Sequence, residues 1–184
     1  MGDRSLDEKQ LTNQSTEGLP PLKRVFISLG SNLGDRLDNL RRALAQMAAA
    51  GLEIRQVSSF YKTQPKDFGP QPWFLNCVAE VGTPLMPMQL LKTLKAIERD
   101  LGRRPGVPSG PRPIDIDILL YADVVVRSAA LTIPHARMSE RRFVLVPLRE
   151  LAPHLRHPVT QRNVVQMLAD TADKSQIVRM KQAC

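Results

Sequence analysis

The sequence predicts an α+β fold, and three observations predict it. Strand-like stretches alternate with two segments whose apolar residues recur at helical spacing. These elements run in the order β-α-β-β-α-β before further pieces follow. At 184 residues, 42% of them hydrophobic, the chain is long enough to bury one compact core. The order is ferredoxin-like: an antiparallel sheet with helices on one face, here with C-terminal additions.

Taken in turn, residues 1–22 are polar, lack periodicity and end in Pro20-Pro21, so a disordered tail is expected, with a single domain over 23–184. RVFISLG (24–30) is rich in β-branched and aromatic residues and predicts the first strand. SNLGDR then turns the chain into a helix on which Leu37, Leu40, Leu44 and Met47 share a face, with Gly51 as its stop. EIRQVSSFYKT (53–63) alternates and predicts one strand. QPKDFGPQP (64–72) is a proline- and glycine-rich loop, and WFLNCVAEVGT (73–83) predicts another strand. PLMPMQLLKTLKAIERDLG (84–102) predicts a helix with Leu90, Leu91, Leu94, Ile97 and Leu101 on its apolar face. A second loop, RRPGVPSGPR (103–112), leads to the strand PRPIDIDILLY (111–121) and a short partner strand, DVVVRS. A short helix is expected to open near Ser139. NVVQMLADTADKSQIVRMKQAC begins helical and turns polar, and its end, from about residue 171 on, is expected to be mobile.

Composition narrows the function. No apolar run is long enough to span a bilayer, and the N-terminal stretch lacks the apolar core of a signal peptide. Cys77 and Cys184 have no metal-type spacing; reduced thiols and a cytoplasmic location are expected, with Cys77 a core residue. A net charge of +8 attracts polyanions, whether nucleic acid, phosphorylated metabolites or an anionic membrane, and composition alone does not choose among them. Aromatic residues make up only 4%, which argues against a base-stacking surface.

The chemistry concentrates in PRPIDIDILLY. Alternate residues of a strand share a face, so Asp115 and Asp117 project together, opposite Ile114, Ile116 and Ile118. Two neighbouring carboxylates repel, and something must compensate. An edge strand facing water would suffice. A divalent cation would also do so, and Arg103, Arg104, Arg112, Arg137, Arg141 and Arg142 crowd the neighbourhood. Two carboxylates holding Mg²⁺, with arginines taking the remaining phosphate charge, outline a phosphoryl-type transfer site. His135 would then be a phosphate hydrogen-bond donor. Phe74 and Asn76 share a strand face and offer a ring and a carboxamide to a flat heterocycle, unless they merely pack. Glu98, alone, reads as an exposed helical acid. SLGSNLGDR (28–36) has no P-loop lysine and reads as a tight turn rather than a phosphate cradle. A basic RNA-binding module is the competing reading, which the acids on the sheet weaken; a regulatory small-molecule-binding domain is a third.

Together SLGSNLGD, VSSFYKTQP, FLNCV, IERDLGR, GPRPIDIDILL and IPHARMSERRFVLVPL resemble, in order and spacing over about residues 24–160, the hydroxymethyl-dihydropterin pyrophosphokinase family of folate biosynthesis. The resemblance implies transfer of the β,γ-pyrophosphoryl group of ATP to a dihydropterin hydroxymethyl group, with AMP as the other product. It implies two Mg²⁺ ions on Asp115 and Asp117 and ATP as co-substrate. Leu91, Glu98, Arg103, Arg112, Ile118, Thr132, His135 and Arg141 correspond to nucleotide contacts, with Arg103, Arg112 and the two aspartates catalytic. Thr63, Phe74, Asn76 and Phe143 correspond to pterin contacts. Partners are then the two small-molecule substrates, with no nucleic acid and no membrane, and a monomer is expected. The chain departs from the family pattern at PSGPR, where Pro108 and Ser109 replace an arginine and a tryptophan, and at Ala136, which replaces an aromatic. A second loop arginine is shifted or absent, with Arg104 or Pro105 at its place.

Overall fold

The computed structural model describes residues 21–65, 71–104 and 110–181. Most of the N-terminal tail and the middles of both glycine- and proline-rich loops, Pro108 and Ser109 included, lie outside the described residues, as does Cys184. The elements are β1 (Lys23–Ser31), α1 (Arg36–Ala49), β2 (Glu53–Val57), β3 (Tyr61–Thr63), β4 (Phe74–Thr83), α2 (Pro87–Asp100), β5 (Asp115–Tyr121), β6 (Val126–Arg127), β7 (Thr132–Ile133), α3 (Arg142–Leu151), α4 (Val164–Asp170) and β8 (Ile177–Arg179). The main sheet runs β5-β1-β4-β3-β8, with β2 also on β4, and every pairing is antiparallel.

Each helix begins and ends where local chemistry allows. Asp35 caps α1 by accepting from the Asp38 amide at 3.0 Å. Pro87 opens α2, where an amide proton has no intrahelical partner. At the far end Gly102 takes φ +89, a left-handed conformation suited to glycine, and the Gly102 and Arg103 amides donate to Arg99 and Glu98 carbonyls. This cap aims Arg103 back toward the sheet.

Alternation splits the sheet into two faces. Val25, Ile27 and Leu29 of β1, with Cys77, Ala79 and Val81 of β4, pack under Leu40 and Met47 of α1 and Leu90 and Leu94 of α2. Burying each large aliphatic side chain there stabilises the fold by roughly 1.5–3 kcal/mol. Cys77 is fully buried, as expected of a core residue, and burial pushes its thiol up to about 12. On the other face Phe26, Val78, Leu119 and Leu120 meet Val144, Leu145 and Leu148 of α3 and Val164 and Met167 of α4. A β-bulge explains how adjacent Leu119 and Leu120 both reach this side: Phe26 pairs with Leu120 but Ile27 with Ile118. Helices therefore lie on both faces, not on one. The second pair covers only one end of its face and leaves the Asp115 end open.

Several expected elements differ. The single strand over 53–63 is two, β2 and β3, and Ser58 fills the break: its amide donates to the Val78 carbonyl at 2.9 Å and its Oγ accepts from the Val78 amide at 3.0 Å. The strand in DVVVRS pairs with β7, not with β5. Near Ser139 there is a 3₁₀ turn at Met138–Glu140, and a longer helix, α3, follows despite Pro147 within it. In the segment after residue 171, where no element is expected, β8 adds to the sheet beside β3.

Candidate active site

The open end of the second face is a cleft over β1. Register across the sheet places Asp117 beside Ser28 and Asp115 beside Gly30, with Asn76 beside Gly30 on the other flank. Two small residues thus form the floor between an acidic wall on β5 and a polar-aromatic wall on β4. Ser28 and Gly30 come from the SLGS stretch, so this turn-forming sequence has a second use that its reading as a turn misses. Thr63, Gln64 and Pro65 form one rim, and Arg141 and Phe143 at the start of α3 form another.

The acidic wall is a charge network. β5 is indeed an edge strand, yet its acids meet cations rather than open water. Asp115 accepts from Arg112 Nη2 at 2.6 Å and from Arg103 Nη1 in a close contact. Burial alone would raise its carboxyl, but the Arg112 and Arg103 charges outweigh that and hold it below the usual range. Asp117 goes the other way: burial and then the Asp115 charge push its carboxyl up. Lys95 Nζ lies 3.9 Å from Asp117 Oδ1, and the Lys95, His135 and Arg141 charges only partly offset that rise. Of the two aspartates, Asp117 is therefore the one whose charge is less compensated.

Behind the arginines stands Glu98. It is 2% exposed, so the expectation of an exposed helical acid is corrected. Its Oε1 accepts from Arg103 Nη1 at 2.5 Å, from Lys95 Nζ at 2.9 Å and from the Ile116 amide at 2.6 Å. One buried carboxylate thus joins α2, β5 and the start of the second loop. Truncating such a residue leaves buried donors without partners, the costly direction for a network of this kind.

Asn32 does comparable work for both loops. Its Oδ1 accepts from the Arg112 amide at 2.8 Å, and its Nδ2 donates to Gln71 Oε1 at 2.9 Å and to the Pro72 carbonyl at 3.3 Å. On the opposite wall, Asn76 Nδ2 donates to Thr63 Oγ1 at 2.6 Å, with both residues buried. That bond fixes the amide and leaves Oδ1 over Gly30, where an added Cβ would lie 2.5 Å from it. Only glycine fits that position without displacing Asn76. The Arg112 guanidinium lies 5.3 Å from the Phe74 ring centre, and that of Arg141 lies 5.5 Å from the Phe143 ring centre. His135 Nδ1 accepts from the Arg137 amide at 3.2 Å, which puts the proton of the neutral ring on Nε2. Burial lowers its pKa, against the pull of the Asp117 charge.

The structure therefore brings Thr63, Phe74, Asn76, Arg112, Asp115, Asp117, Arg141 and Phe143 to one cleft, with Arg103 and Glu98 buttressing it. It does not bring all. Ile118 is buried on the other face of β5, Leu91 packs against that same core, and Thr132 is exposed on β7. Sequence reasoning missed Lys95, Asn32 and the Ser28–Gly30 floor. Of these, only the floor had a local signal, two small residues at alternate positions of the first strand.

Among the described residues no group of three or more His, Cys, Asp or Glu could hold a metal ion unaided. The donor set nonetheless fits Mg²⁺, which takes one or two carboxylates and completes its shell with water and phosphate. Asp117, with its carboxyl pushed up beside a second aspartate, is a group that a cation would relieve. Arg112 Nη2 is already engaged by Asp115, which leaves the rest of the guanidinium beside the Phe74 ring at the edge of the cleft.

Comparison with known proteins identifies the family and the fold. A family model described as 7,8-dihydro-6-hydroxymethylpterin-pyrophosphokinase matches residues 26–153. The mitochondrial folate synthesis bifunctional protein of Pisum sativum is 48% identical over 139 residues, covering 76% of this chain and 27% of that protein. The 2-amino-4-hydroxy-6-hydroxymethyldihydropteridine pyrophosphokinase of Aquifex aeolicus is 39% identical over 138 residues, covering 75% of this chain and 86% of that one. In fold, the wild-type HPPK-DHPS of Plasmodium falciparum solved with pteroate superposes with a TM-score of 0.66 at 15% identity, over 80% of this chain and 42% of that one. The chain thus spans about a quarter of the pea relative's length and most of the Aquifex relative's.

Proposed function

The chain belongs to the 7,8-dihydro-6-hydroxymethylpterin-pyrophosphokinase family, and from that premise and its cleft we propose that it transfers pyrophosphate from ATP to 6-hydroxymethyl-7,8-dihydropterin. The observation that carries the reading is the pairing of two walls across one floor. Asp115, Asp117 and the arginines suit a triphosphate, while Phe74, Asn76 and Phe143 suit a flat, hydrogen-bonding ring. The acid pair on β5 and the ring and carboxamide on β4 flank Gly30, with Phe143 on the α3 rim above them. The run from β1 to β5 and the sheet order support a ferredoxin-like core, with α3, α4 and β8 as additions. A cytoplasmic, monomeric enzyme is part of this proposal; among the described residues no helix is long and apolar enough to cross a membrane.

In the reaction the hydroxymethyl oxygen forms a bond to the β-phosphorus. The bond from that phosphorus to the α,β-bridging oxygen breaks, AMP leaves with the bridging oxygen, and the hydroxyl proton passes to solvent. Asp115 and Asp117 would hold two Mg²⁺ ions, which supply charge neutralisation on the triphosphate. Arg103 and Arg112, fixed by Glu98, Asn32 and Asp115, would face the developing charge without reorganising. His135 would donate from Nε2 to a phosphate oxygen. Arg141 would contact the nucleotide, as would Glu98 through Arg103, while Leu91, Ile118 and Thr132 would serve a base lying outside the cleft. Phe74 and Phe143 would sandwich the pterin, with Thr63 setting Asn76 to read its edge.

Calorimetry of a non-hydrolysable ATP analogue tests the nucleotide half: binding with Mg²⁺ that is lost in EDTA supports it, and metal-independent binding contradicts it. For the pterin half, Gly30→Ala is expected to weaken pterin binding about tenfold, because the new Cβ displaces the Asn76 amide from its bond to Thr63. Unchanged pterin affinity in a folded variant would remove Asn76 from the proposal.

A further inference from the structure

The two rims of the cleft come from distant parts of the chain, and one segment ties both. Thr171 to Arg179 runs past the start of α3 and on to β3. The family match ends at residue 153, so this strap lies beyond it. At α3 the first amide, that of Arg142, is one that the helix cannot satisfy, and Arg141 at the N-cap makes no side-chain capping bond. Asp173 does so instead. It is 4% exposed, and its Oδ2 accepts from the Arg142 amide at 2.9 Å. Its Oδ1 accepts from the Ser175 amide at 2.9 Å, which folds the strap around the same carboxylate. Arg142 Nη1 returns a 3.4 Å bond to the Ser175 carbonyl. One residue later the strap reaches the other rim: the Gln64 amide donates to the Gln176 carbonyl at 3.1 Å. Ile177 then pairs with Thr63 and Val178 with Lys62 in the β3–β8 ladder.

We propose that Asp173 is a positioning residue for the pterin half of the site. By capping α3 and turning the strap it sets the spacing between Phe143 on one rim and Thr63 and Gln64 on the other. The negative charge also suits the positive end of the helix dipole. On the β5 wall Asp115 is held by Arg103 and Arg112, and Glu98 by α2 and β5. The effect of Asp173 should therefore be larger for the pterin than for the nucleotide, which meets this turn only through Arg141. This inference rests on the functional reading above.

The test uses the full chain with Asp173→Ala and the near-isosteric Asp173→Asn. Calorimetric Kd values are measured for hydroxymethyl-dihydropterin and for Mg²⁺ with an ATP analogue, beside melting curves. The pterin Kd is expected to rise about tenfold in Asp173→Ala and about threefold in Asp173→Asn, the scale of one or two positioned hydrogen bonds. The nucleotide Kd should rise by less, about threefold in Asp173→Ala and under about twofold in Asp173→Asn, because Arg141 shares the capped turn while the pterin rim depends on both ends of the strap. If Asp173→Ala does not fold, Asp173→Asn decides alone. Unchanged pterin affinity in Asp173→Asn, or an equal loss for both ligands, overturns the inference. Wild-type protein that binds no pterin overturns the functional reading itself, and this inference with it.

Discussion

Asp117→Ala is expected to lower turnover by about a thousandfold or more, the scale seen when a group that stabilises developing charge is removed. The same variant should keep its fold and its melting temperature. Asp117 is the better target of the acid pair because the structure asks little of it. Asp115 is the shared partner of Arg103 and Arg112, so its loss would take a carboxylate partner from two guanidinium groups. Asp117 has Lys95 Nζ at 3.9 Å, its side chain is 35% exposed, and the His135 and Arg141 charges also act on it. A carboxyl pushed up by burial and by a neighbouring charge favours the folded state when protonated and weighs against it once pH rises through its folded value. At neutral pH its removal therefore does not destabilise the protein. Turnover of the purified variant, read beside its melting curve, checks this. Near-normal turnover in a folded protein would take Asp117 out of the chemistry.

Phe143→Ala is expected to weaken pterin binding roughly thirtyfold, about 2 kcal/mol for a lost stacking face and its buried area. Nucleotide affinity should fall by less, about threefold, because the ring also supports the Arg141 guanidinium 5.5 Å from its centre. The asymmetry is the informative part. Phe143 sits in the first turn of α3, on the same rim as Arg141, so a variant that merely loosened that turn would harm both ligands alike. Calorimetry with each ligand separately distinguishes the cases, and equal losses would count against stacking.

The acid pair shows what a sequence can disclose. Its spacing of two, inside a run of isoleucines, announces a shared face with no knowledge of the fold, and the structure places both carboxylates there. The ring and carboxamide of Phe74 and Asn76 are legible for the same reason. β1, α1, β4, α2 and β5 are long enough for their periodicity to speak. What failed to show was short or non-local. β8 is three residues in polar surroundings, and only its pairing with β3 makes it a strand. The break between β2 and β3 depends on Ser58 meeting Val78, twenty residues away in sequence. Glu98 reads as an exposed helical acid because helical periodicity does not reveal that Arg103 and the Ile116 amide will converge on it. Lys95 and Asn32 are hidden likewise: each matters through partners that tertiary structure delivers. Asp173 lies in a polar stretch that resembles a tail, and its role exists only because α3 begins beside it.

One measurement bears most directly on the central claim: AMP formation from ATP, with Mg²⁺, in the presence and absence of 6-hydroxymethyl-7,8-dihydropterin. The account predicts AMP only when both Mg²⁺ and the pterin are present, one AMP for each pterin consumed, and no ADP. ADP as the product, or nucleotide cleavage indifferent to the pterin, would contradict a cleft built to bring the two substrates together across Gly30.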